Sequence, residues 1–293
     1  MGKHRIGLAL SGGSIKGLAH VGALEAFEEL GIKIDIISGV SAGAIVASMY
    51  AAGVSGDDIV KFFKESQVYN FKEYLEDSLK SLLPNYFLKR IGKTQKSSLL
   101  SSNVINVITG KGGGLMDATP FKKKVKELVG VKKFEDLKIP VIVSATEMST
   151  GKARHFSEGD LIDPVMASAA IPMILSPVKI DKKAYIDGGL ISNISCSVLR
   201  DKCDFLIGIH VNPITEIPDE NKFFSIFNRA FDLVINGSST ESEKKCCDLL
   251  FETTEACKYG MFELSKSEEI RKIGYDIVMS RLKDSPLLEK LRG

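Results

Sequence analysis

Two short apolar runs near the start of the chain each end in a glycine-rich turn and then pass directly into a helix-like segment. The first run is residues 5–10, which precede a loop at residues 11–17. The second is residues 34–38, which precede a turn at residues 39–43. Short apolar runs bounded by turns are typical of buried strands, and successive strand–turn–helix units favour a parallel sheet covered by helices. We therefore expect an α/β fold, a three-layer sandwich with a mainly parallel central sheet.

Later segments repeat this pattern and add two helix-start signals. Further strands are predicted at residues 139–146, 151–156, 182–189, 204–211 and 248–253. Thr119 and Pro120 have the residue types of an N-cap and a first helical position, in a helix that ends at Gly130. Ser265 and Glu268 have the spacing of a capping box at the start of the closing helix.

No internal repeat or low-complexity linker divides the 293 residues, and this length is within the range of one α/β domain. Between residues 57 and 110, aromatic and leucine side chains lie among charged residues without a clear strand. We therefore expect a single domain over residues 1–293, with a helical insertion at about 57–110.

Composition argues against several classes of partner. With 39 basic and 37 acidic residues and a net charge of +2, the chain gives no reason to expect nucleic acid. Its five cysteines lack C-x-x-C spacing, so we expect neither a zinc site nor a disulfide framework.

The N-terminal residues lack a signal-peptide pattern, and the longest small-apolar stretch, residues 44–54, is too short to span a bilayer. We expect a cytoplasmic protein, either free or peripheral to the membrane. The lysine cluster at residues 122–126 predicts a solvated helix face, with contact to anionic headgroups as the alternative.

The turn at residues 39–43 reads Gly-Val-Ser-Ala-Gly and lies between a predicted strand and a predicted helix. In that position a Gly-x-Ser-x-Gly turn exposes the serine hydroxyl, because the glycines leave room for a sharp bend. We therefore interpret Ser41 as a candidate nucleophile. The alternative is that Ser41 only caps the helix that follows it.

The loop at residues 11–17 joins a strand to a helix N-terminus, where unpaired backbone N–H groups and the helix dipole favour an anion. Its glycine spacing matches neither a phosphate loop nor a dinucleotide fingerprint. Since the next strand delivers the candidate nucleophile, a developing oxyanion is the anion that we expect this loop to stabilise.

A serine hydroxyl needs a base to become nucleophilic, and histidine is the usual one. The chain has four histidines, at positions 4, 20, 155 and 210. Ser41, Asp187 and His210 follow one another in the chain order of an α/β-hydrolase triad. This triad is one alternative for the base.

Three separated motifs of the chain resemble those of the patatin-like phospholipase family. They are Ser11-Gly12-Gly13-Ser14-Ile15-Lys16-Gly17 after the first strand, Gly39-Val40-Ser41-Ala42-Gly43, and Asp187-Gly188-Gly189. Residues 18–22, 167–172 and 273–275 are similar to the family as well. The likeness runs over most of the chain, and on these motifs the chain is identified as a bacterial single-domain member.

The resemblance implies a Ser–Asp dyad without a histidine, with Ser41 as nucleophile and Asp187 as its base. It also implies an oxyanion hole from the backbone N–H groups of Gly12, Gly13 and Ser14. The remaining motif positions support this site, and they are Lys16, Gly17, Gly39, Gly43, Gly188 and Gly189. An aspartate in this role needs a raised pKa, so we expect Asp187 to lie in an apolar, dehydrated site. No metal or organic cofactor is implied.

The activity that the resemblance implies is that of a serine lipid acyl hydrolase, which cleaves carboxylic esters of phospholipids or related lipids through an acyl-enzyme on Ser41. The implied partner is the lipid substrate, with transient contact to a membrane surface, and the oligomeric state stays open. Two alternatives remain, namely an acyltransferase or thioesterase with the same nucleophile, and a non-catalytic module that binds lipid surfaces.

Overall fold

The computed structural model describes residues 4–66, 114–216 and 223–292. The strands in these ranges are β1 Ile6–Leu10, β2 Ile36–Val40, β3 Gly114–Met116, β4 Val141–Glu147, β5 Lys152–Phe156, β6 Met173–Leu175, β7 Val178–Ile180, β8 Lys183–Asp187, β9 Phe205–His210 and β10 Leu249–Glu252. The helices are α1 Leu18–Glu29, α2 Ala42–Ala52, α3 Gly56–Glu65, α4 Thr119–Val129, α5 Ile162–Ser168, α6 Ser197–Arg200, α7 Phe223–Ile235, α8 Ser238–Lys244, α9 Ser267–Leu282 and α10 Pro286–Arg292. Every predicted strand is present, whereas β3, β6 and β7 were not predicted.

Eight strands form one sheet in the order β10–β9–β1–β2–β4–β8–β7, with β5 paired to β4 beside this path. The first five strands in this order run parallel, whereas β8, β7 and β5 are joined by antiparallel pairings. The predicted α/β fold with a mainly parallel sheet is therefore confirmed. Because the parallel strands end at one edge of the sheet, the residues that follow them collect at that edge.

Side chains of the central strand β1 alternate between two apolar layers, as the two-residue period of a strand requires. Ile6, Leu8 and Leu10 join the large core cluster, to which α1, α2 and α9 contribute. Ala9 packs on the opposite face with Leu199 of α6. Helices thus cover both faces of the sheet, which gives the three layers.

The start of the closing helix differs from its prediction. Helix α9 begins at Ser267, after a short 3₁₀ turn, with Lys266 in the N-cap position and no side-chain cap. The predicted capping box of Ser265 and Glu268 was therefore wrong, because the 3₁₀ turn moves the helix start past Ser265. Of the predicted helical insertion, α3 is described, and residues 67–113 lie outside the described ranges, so the insertion stays a prediction.

Helix α4 begins one residue earlier than its sequence signal indicates. Ala118 holds the N-cap position, so Thr119 is the first helical residue and Pro120 the second. Gly130 ends the helix with φ 70°, the left-handed conformation that favours glycine at this position.

The lysines on α4 are exposed or half-buried, and three of them lie beside carboxylates. The ion pairs are Lys122–Asp163, Lys123–Glu127 and Lys124–Glu65. This pairing supports a solvated helix face over a binding site for anionic headgroups. Within the described ranges, no helix is both long enough and apolar enough to cross a membrane.

Helices α1 and α9 cross where their backbones touch. A Cβ atom at Gly22 would overlap the carbonyl oxygen of Arg271, and one at Gly274 would overlap the carbonyl oxygen of Ala19. Because the opposing atoms are backbone, the helices would have to separate to accept a side chain. This crossing holds α1, and with it the loop between β1 and α1, against the sheet.

We predict that Gly274→Ala lowers the free energy of unfolding by about 3 kcal/mol, since it overpacks a helix crossing that cannot adjust. Denaturant unfolding followed by circular dichroism measures this change. Gly260→Ala is the matched control, because the nearest atom to a Cβ there is 3.9 Å away. Equal stability of the two variants would contradict the close crossing.

Candidate active site

Ser41 lies at the junction of β2 and α2, in the N-cap position of α2. Its backbone has φ 51° and ψ −120°, a strained conformation for a residue other than glycine, and such strain clusters at functional sites. The hydroxyl makes no capping hydrogen bond to α2. Helix capping therefore does not account for the serine side chain at this position.

The glycines on either side of Ser41 allow backbone segments to approach one another. A Cβ at Gly39 would overlap the carbonyl oxygen of Gly43, and a Cβ at Gly43 would overlap the carbonyl oxygen of Leu10. Neither glycine has a positive φ, so the strained conformation belongs to Ser41 alone. The glycines are needed because this turn is crowded.

The register of the sheet places Asp187 beside Ser41. Val40, the last residue of β2, pairs with Ser144 of β4, and the next residue of β4, Ala145, pairs with Asp187 at the end of β8. Ser41 Oγ donates a hydrogen bond to Asp187 Oδ2 at 2.6 Å, a length typical of O–H···O⁻ bonds. Two residues that are 146 positions apart in the chain thus share one hydrogen bond.

Asp187 is buried, with 2% of its surface exposed. Its Oδ1 accepts the N–H of Gly189 at 2.8 Å, and Gly188 is so close to Ser144 that a Cβ would overlap the Ser144 carbonyl oxygen. Burial raises the pKa of Asp187 from 3.8 to about 6, against the lowering effect of the hydrogen bonds from Ser41 and Gly189. Such a carboxyl group is ionised at neutral pH and can still accept a proton, which suits a general base.

Residues of the loop after β1 line the same cavity as Ser41. The N–H of Gly12 donates to the carbonyl oxygen of Asn193 at 2.9 Å, and this bond removes Gly12 from the predicted set of oxyanion donors. Within the described residues, the N–H groups of Gly13 and Ser14 have no acceptor, and both residues line the cavity. Of the three N–H groups that were predicted as oxyanion donors, those of Gly13 and Ser14 are therefore free.

Ser14 adopts φ 53°, in the left-handed region where glycine is favoured. A hydrogen bond from its Oγ to the carbonyl oxygen of Met261, 2.7 Å long, holds the side chain in place. Gly17 closes the loop, and a Cβ there would overlap the Ala42 side chain. The loop is thereby fixed against the first turn of α2, next to Ser41.

Lys16 is a buried cation in the wall of the cavity. Its Nζ donates to Asn212 Oδ1 and lies 3.9 Å from Asp232 Oδ2. Asn212 Nδ2 in turn donates to Asp232 Oδ1 at 2.7 Å. Because Asp232 belongs to α7, these contacts tie α7 to the glycine-rich loop. The space that they enclose beside Ser41 is about 10 Å³, enough for one water-sized group.

The structure does not bring His210 to the Ser41–Asp187 pair. Nδ1 of His210 lies 3.2 Å from Oε1 of Glu252 on the neighbouring strand β10, and among the described residues its Nε2 has no hydrogen-bond partner. His20 bonds a backbone carbonyl of the loop after β1 through Nε2, and burial lowers its pKa to about 4. The carboxylate of Asp187 therefore has Ser41 and not a histidine as its side-chain partner.

Residues 8–200 match the protein-family model described as patatin-like phospholipase. This match covers more than half of the chain and contains both Ser41 and Asp187. The chain belongs to the patatin-like phospholipase family.

Relatives within this family are distant and mostly longer. The lysophospholipase nte1 of Aspergillus fumigatus is 23% identical over 296 residues, which cover 92% of this chain and 18% of that protein. An uncharacterised NTE family protein of Mycobacterium bovis is 28% identical over 209 residues, which cover 71% of this chain and 49% of that protein. The chain thus spans half or less of the length of these relatives. Among solved structures, VipD from Legionella pneumophila is 18% identical with a TM-score of 0.49, covering 99% of this chain and 67% of that chain.

Several polar residues of this patatin-like site were not predicted as site residues, although Ser168 lies in the stretch 167–172 that resembles the family. Asn193 and Ser168 both accept hydrogen bonds from backbone N–H groups of the site. The carbonyl oxygen of Asn193 accepts the N–H of Gly12, and Ser168 Oγ accepts the N–H of Ser41 at 2.8 Å. Asn212 follows β9 at the carboxyl edge of the sheet, and that position is a signal that could have found it. Asp232 lies within an apolar helical segment and gives no local signal of its partners.

Within the described ranges, no group of three or more histidine, cysteine, aspartate or glutamate side chains is placed to hold a metal ion. The five cysteines are free thiols.

We predict that Asp187→Asn stabilises the protein at pH 8 relative to the parent chain. The pKa of Asp187 is raised on folding, so its contribution to stability is full below about pH 4 and is lost as the pH rises through about 6. The rise from 3.8 to about 6 corresponds to about 3 kcal/mol. Denaturant unfolding at pH 4 and pH 8 measures the difference between the two proteins. A difference that stays constant between these pH values would contradict the raised pKa.

Proposed function

We propose that this protein is a serine lipid acyl hydrolase that cleaves carboxylic esters of phospholipids or related lipids. The observation that carries the proposal is the 2.6 Å hydrogen bond between Ser41 Oγ and Asp187 Oδ2, formed at a strained strand-to-helix turn. Membership of the patatin-like phospholipase family supports it. Besides a nucleophile and a base, acyl transfer needs hydrogen-bond donors for the oxyanion, and the free N–H groups of the neighbouring loop supply them.

In the first step, Ser41 Oγ attacks the ester carbonyl carbon and its proton passes to Asp187 Oδ2. The short hydrogen bond between the two groups gives the proton a direct path. With a pKa of about 6, Asp187 is ionised at neutral pH and accepts the proton more readily than an exposed aspartate. Asp187 thereby acts as the general base, the role that a histidine has in a Ser-His-Asp triad.

The tetrahedral intermediate carries its negative charge on the former carbonyl oxygen. Gly13 and Ser14 donate their backbone N–H groups to this oxygen, and because Gly17 and Met261 fix the loop, the donors need no rearrangement. Buried Lys16 adds a positive charge to the same cavity wall. The charge that develops during attack is therefore met by groups already in place.

Collapse of the intermediate breaks the bond between the carbonyl carbon and the alcohol oxygen, and Asp187 returns its proton to the departing alcohol. The acyl group remains on Ser41 as an ester. In the second half, water transfers a proton to Asp187 as it attacks this ester, the fatty acid leaves, and Ser41 regains its proton. An added alcohol in place of water would give acyl transfer, so product analysis with and without an alcohol separates the two reactions.

Lysophospholipids are the first substrates to test, because the Aspergillus fumigatus relative bears the name of a lysophospholipase. Their single acyl chain also places one ester at the end of one apolar tail. A soluble short-chain ester serves as a second substrate that needs no lipid aggregate.

We predict that Ser41→Ala lowers ester hydrolysis by about 10³-fold or more, as removal of a nucleophile does. Asp187→Asn gives a comparably deep loss, whereas His210→Asn keeps most of the activity. Ser48→Ala is the matched control, since Ser48 is a buried serine of α2 whose hydroxyl has no partner among the described residues. Initial rates on lysophospholipid and on the soluble ester measure these effects.

Full activity in Ser41→Ala would overturn the assignment of the nucleophile. A loss in His210→Asn as deep as that in Asp187→Asn would overturn the dyad in favour of the triad.

The pH dependence of kcat/KM provides a separate prediction. Activity on the soluble ester falls tenfold per pH unit below a midpoint of about 6, because protonated Asp187 cannot accept the serine proton. Initial rates across the acidic range measure the midpoint. A midpoint near 4, the ordinary pKa of an aspartate, would contradict the prediction, because the pH dependence of kcat/KM would then not follow the raised pKa of buried Asp187.

A further inference from the structure

Large exposed apolar side chains concentrate around the cavity that contains Ser41. Among the side chains that the structure describes, six are both large and exposed, and they are Met148, Met173, Ile214, Ile226, Leu233 and Val234. Four of them lie within two residues of a residue that lines the cavity, namely Ile171, Asn212, Asp232 or Ile235. Since consecutive Cα atoms are about 3.8 Å apart, these four lie at the border of the cavity.

Helix α7 exposes an apolar stripe on its outer side. Ile226, Ala230, Leu233 and Val234 are exposed and have the spacing i, i+4, i+7 and i+8, which places them on one stripe of the helix. A surface helix normally turns such a stripe toward the core. Here it faces outward.

The inner face of α7 explains this orientation. Asp232 lines the cavity, accepts a hydrogen bond from Asn212 at 2.7 Å and lies 3.9 Å from the Nζ of Lys16. Ile235 lines the same cavity and is buried. Because α7 is held by these polar and apolar contacts on its inner side, its apolar stripe is left on the outside.

Met173, on a different element, adds to the same border. It is 66% exposed and has φ 70°, a conformation that is a genuine outlier for a bulky residue. Ile214, two residues beyond cavity-lining Asn212, is 47% exposed. Three separate segments therefore each place an exposed apolar side chain beside one cavity.

We propose that Met173, Ile214, Ile226, Leu233 and Val234, here called the apolar rim, form the surface by which the protein docks on a lipid–water interface. The choice of a lipid surface as the partner rests on the proposed lipid hydrolase function. A lipid ester lies in an aggregate with its acyl chain buried. Four of the five rim residues border the cavity that its carbonyl must enter, and Ile226 extends the rim along α7. An apolar border lets the chain pass from the aggregate to Ser41 without crossing water.

The chemistry of the rim specifies which lipid surface it fits. All five members are uncharged, and one cation, Arg229, lies between Ile226 and Leu233 on the same side of α7. We therefore expect docking to depend mainly on apolar burial and only weakly on attraction to anionic headgroups. Binding to zwitterionic phosphatidylcholine is therefore expected, with little change when the salt concentration is raised, because screening weakens only interactions between charges. The paired lysines of α4 would give the opposite salt dependence.

Vesicle binding by the full chain tests the rim. The chain carries Ser41→Ala so that vesicles stay intact, and binding is measured by co-sedimentation with phosphatidylcholine vesicles at low and high salt. Leu233→Gln combined with Val234→Gln lowers the partition coefficient by about tenfold or more, and Ile226→Gln, as an independent variant, lowers it as well. Met148→Gln is the matched control, since Met148 is 51% exposed but lies outside the rim. It changes binding less than about twofold.

Absence of vesicle binding, or an equal loss in Met148→Gln and in the rim variants, would overturn the proposal. A dimer in lipid-free solution that the rim substitutions dissociate would overturn it too, in favour of a second copy of the chain as the occupant. Binding that salt abolishes would assign the lipid contact to charged residues instead.

These outcomes are separable from a failure of the proposed function. Vesicle binding is measured in a chain without the Ser41 hydroxyl, so it does not depend on catalysis. A parent chain that hydrolyses the soluble ester but does not bind vesicles through the rim refutes the docking surface alone. A chain that binds vesicles through the rim but hydrolyses no ester refutes the hydrolase alone.

Discussion

The hydrogen bond between Ser41 and Asp187 depends on the register of three neighbouring strands. β2 delivers Ser41, β4 separates the two residues, and β8 returns in the opposite direction to place Asp187 opposite Ala145. A slip of one residue would turn the Asp187 side chain to the other face of the sheet. The same register buries Asp187, and this burial raises the pKa of its carboxyl group. Geometry and proton affinity of the pair therefore have one cause.

Much of the fold could be predicted from the sequence because its signals are local. The apolar runs at β1, β2, β4, β8, β9 and β10 are bounded by turn residues, and each strand is present. Ser41 could be predicted as a candidate nucleophile because its flanking glycines are imposed by crowding at a single turn. The capping pattern of Ser265 and Glu268 failed because a 3₁₀ turn before α9 shifts the helix start, and local spacing does not encode that shift.

The parts of the site that escaped prediction are long-range contacts. Whether Gly12 is a free donor depends on the carbonyl group of Asn193, which lies 181 residues away. The partners of Asp187 likewise cannot be read from its own segment, since an aspartate before two glycines is also a common turn. Nothing next to Asp232 in the sequence indicates that it meets Asn212 and Lys16. Such pairings exist only once the sheet and α7 are in place.

The same contacts connect the chemistry of the site to its surroundings. Lys16 belongs to the loop that carries the free N–H groups, and through Asn212 and Asp232 it holds the inner face of α7. That anchoring leaves the apolar stripe of α7 exposed next to the cavity. The loop after β1 and the apolar stripe of α7 thus lie on two sides of one hydrogen-bonded cluster, which fixes the position of the stripe relative to Ser41.

The most direct measurement of the central claim is covalent labelling by a fluorophosphonate probe, with the labelled residue mapped by tandem mass spectrometry. If Ser41 is a nucleophile activated by Asp187, the folded parent chain is labelled at Ser41, and Asp187→Asn slows labelling by about 10²-fold or more. A parent chain that is not labelled at Ser41, or that is labelled as fast with Asn at position 187 as with Asp, would contradict it.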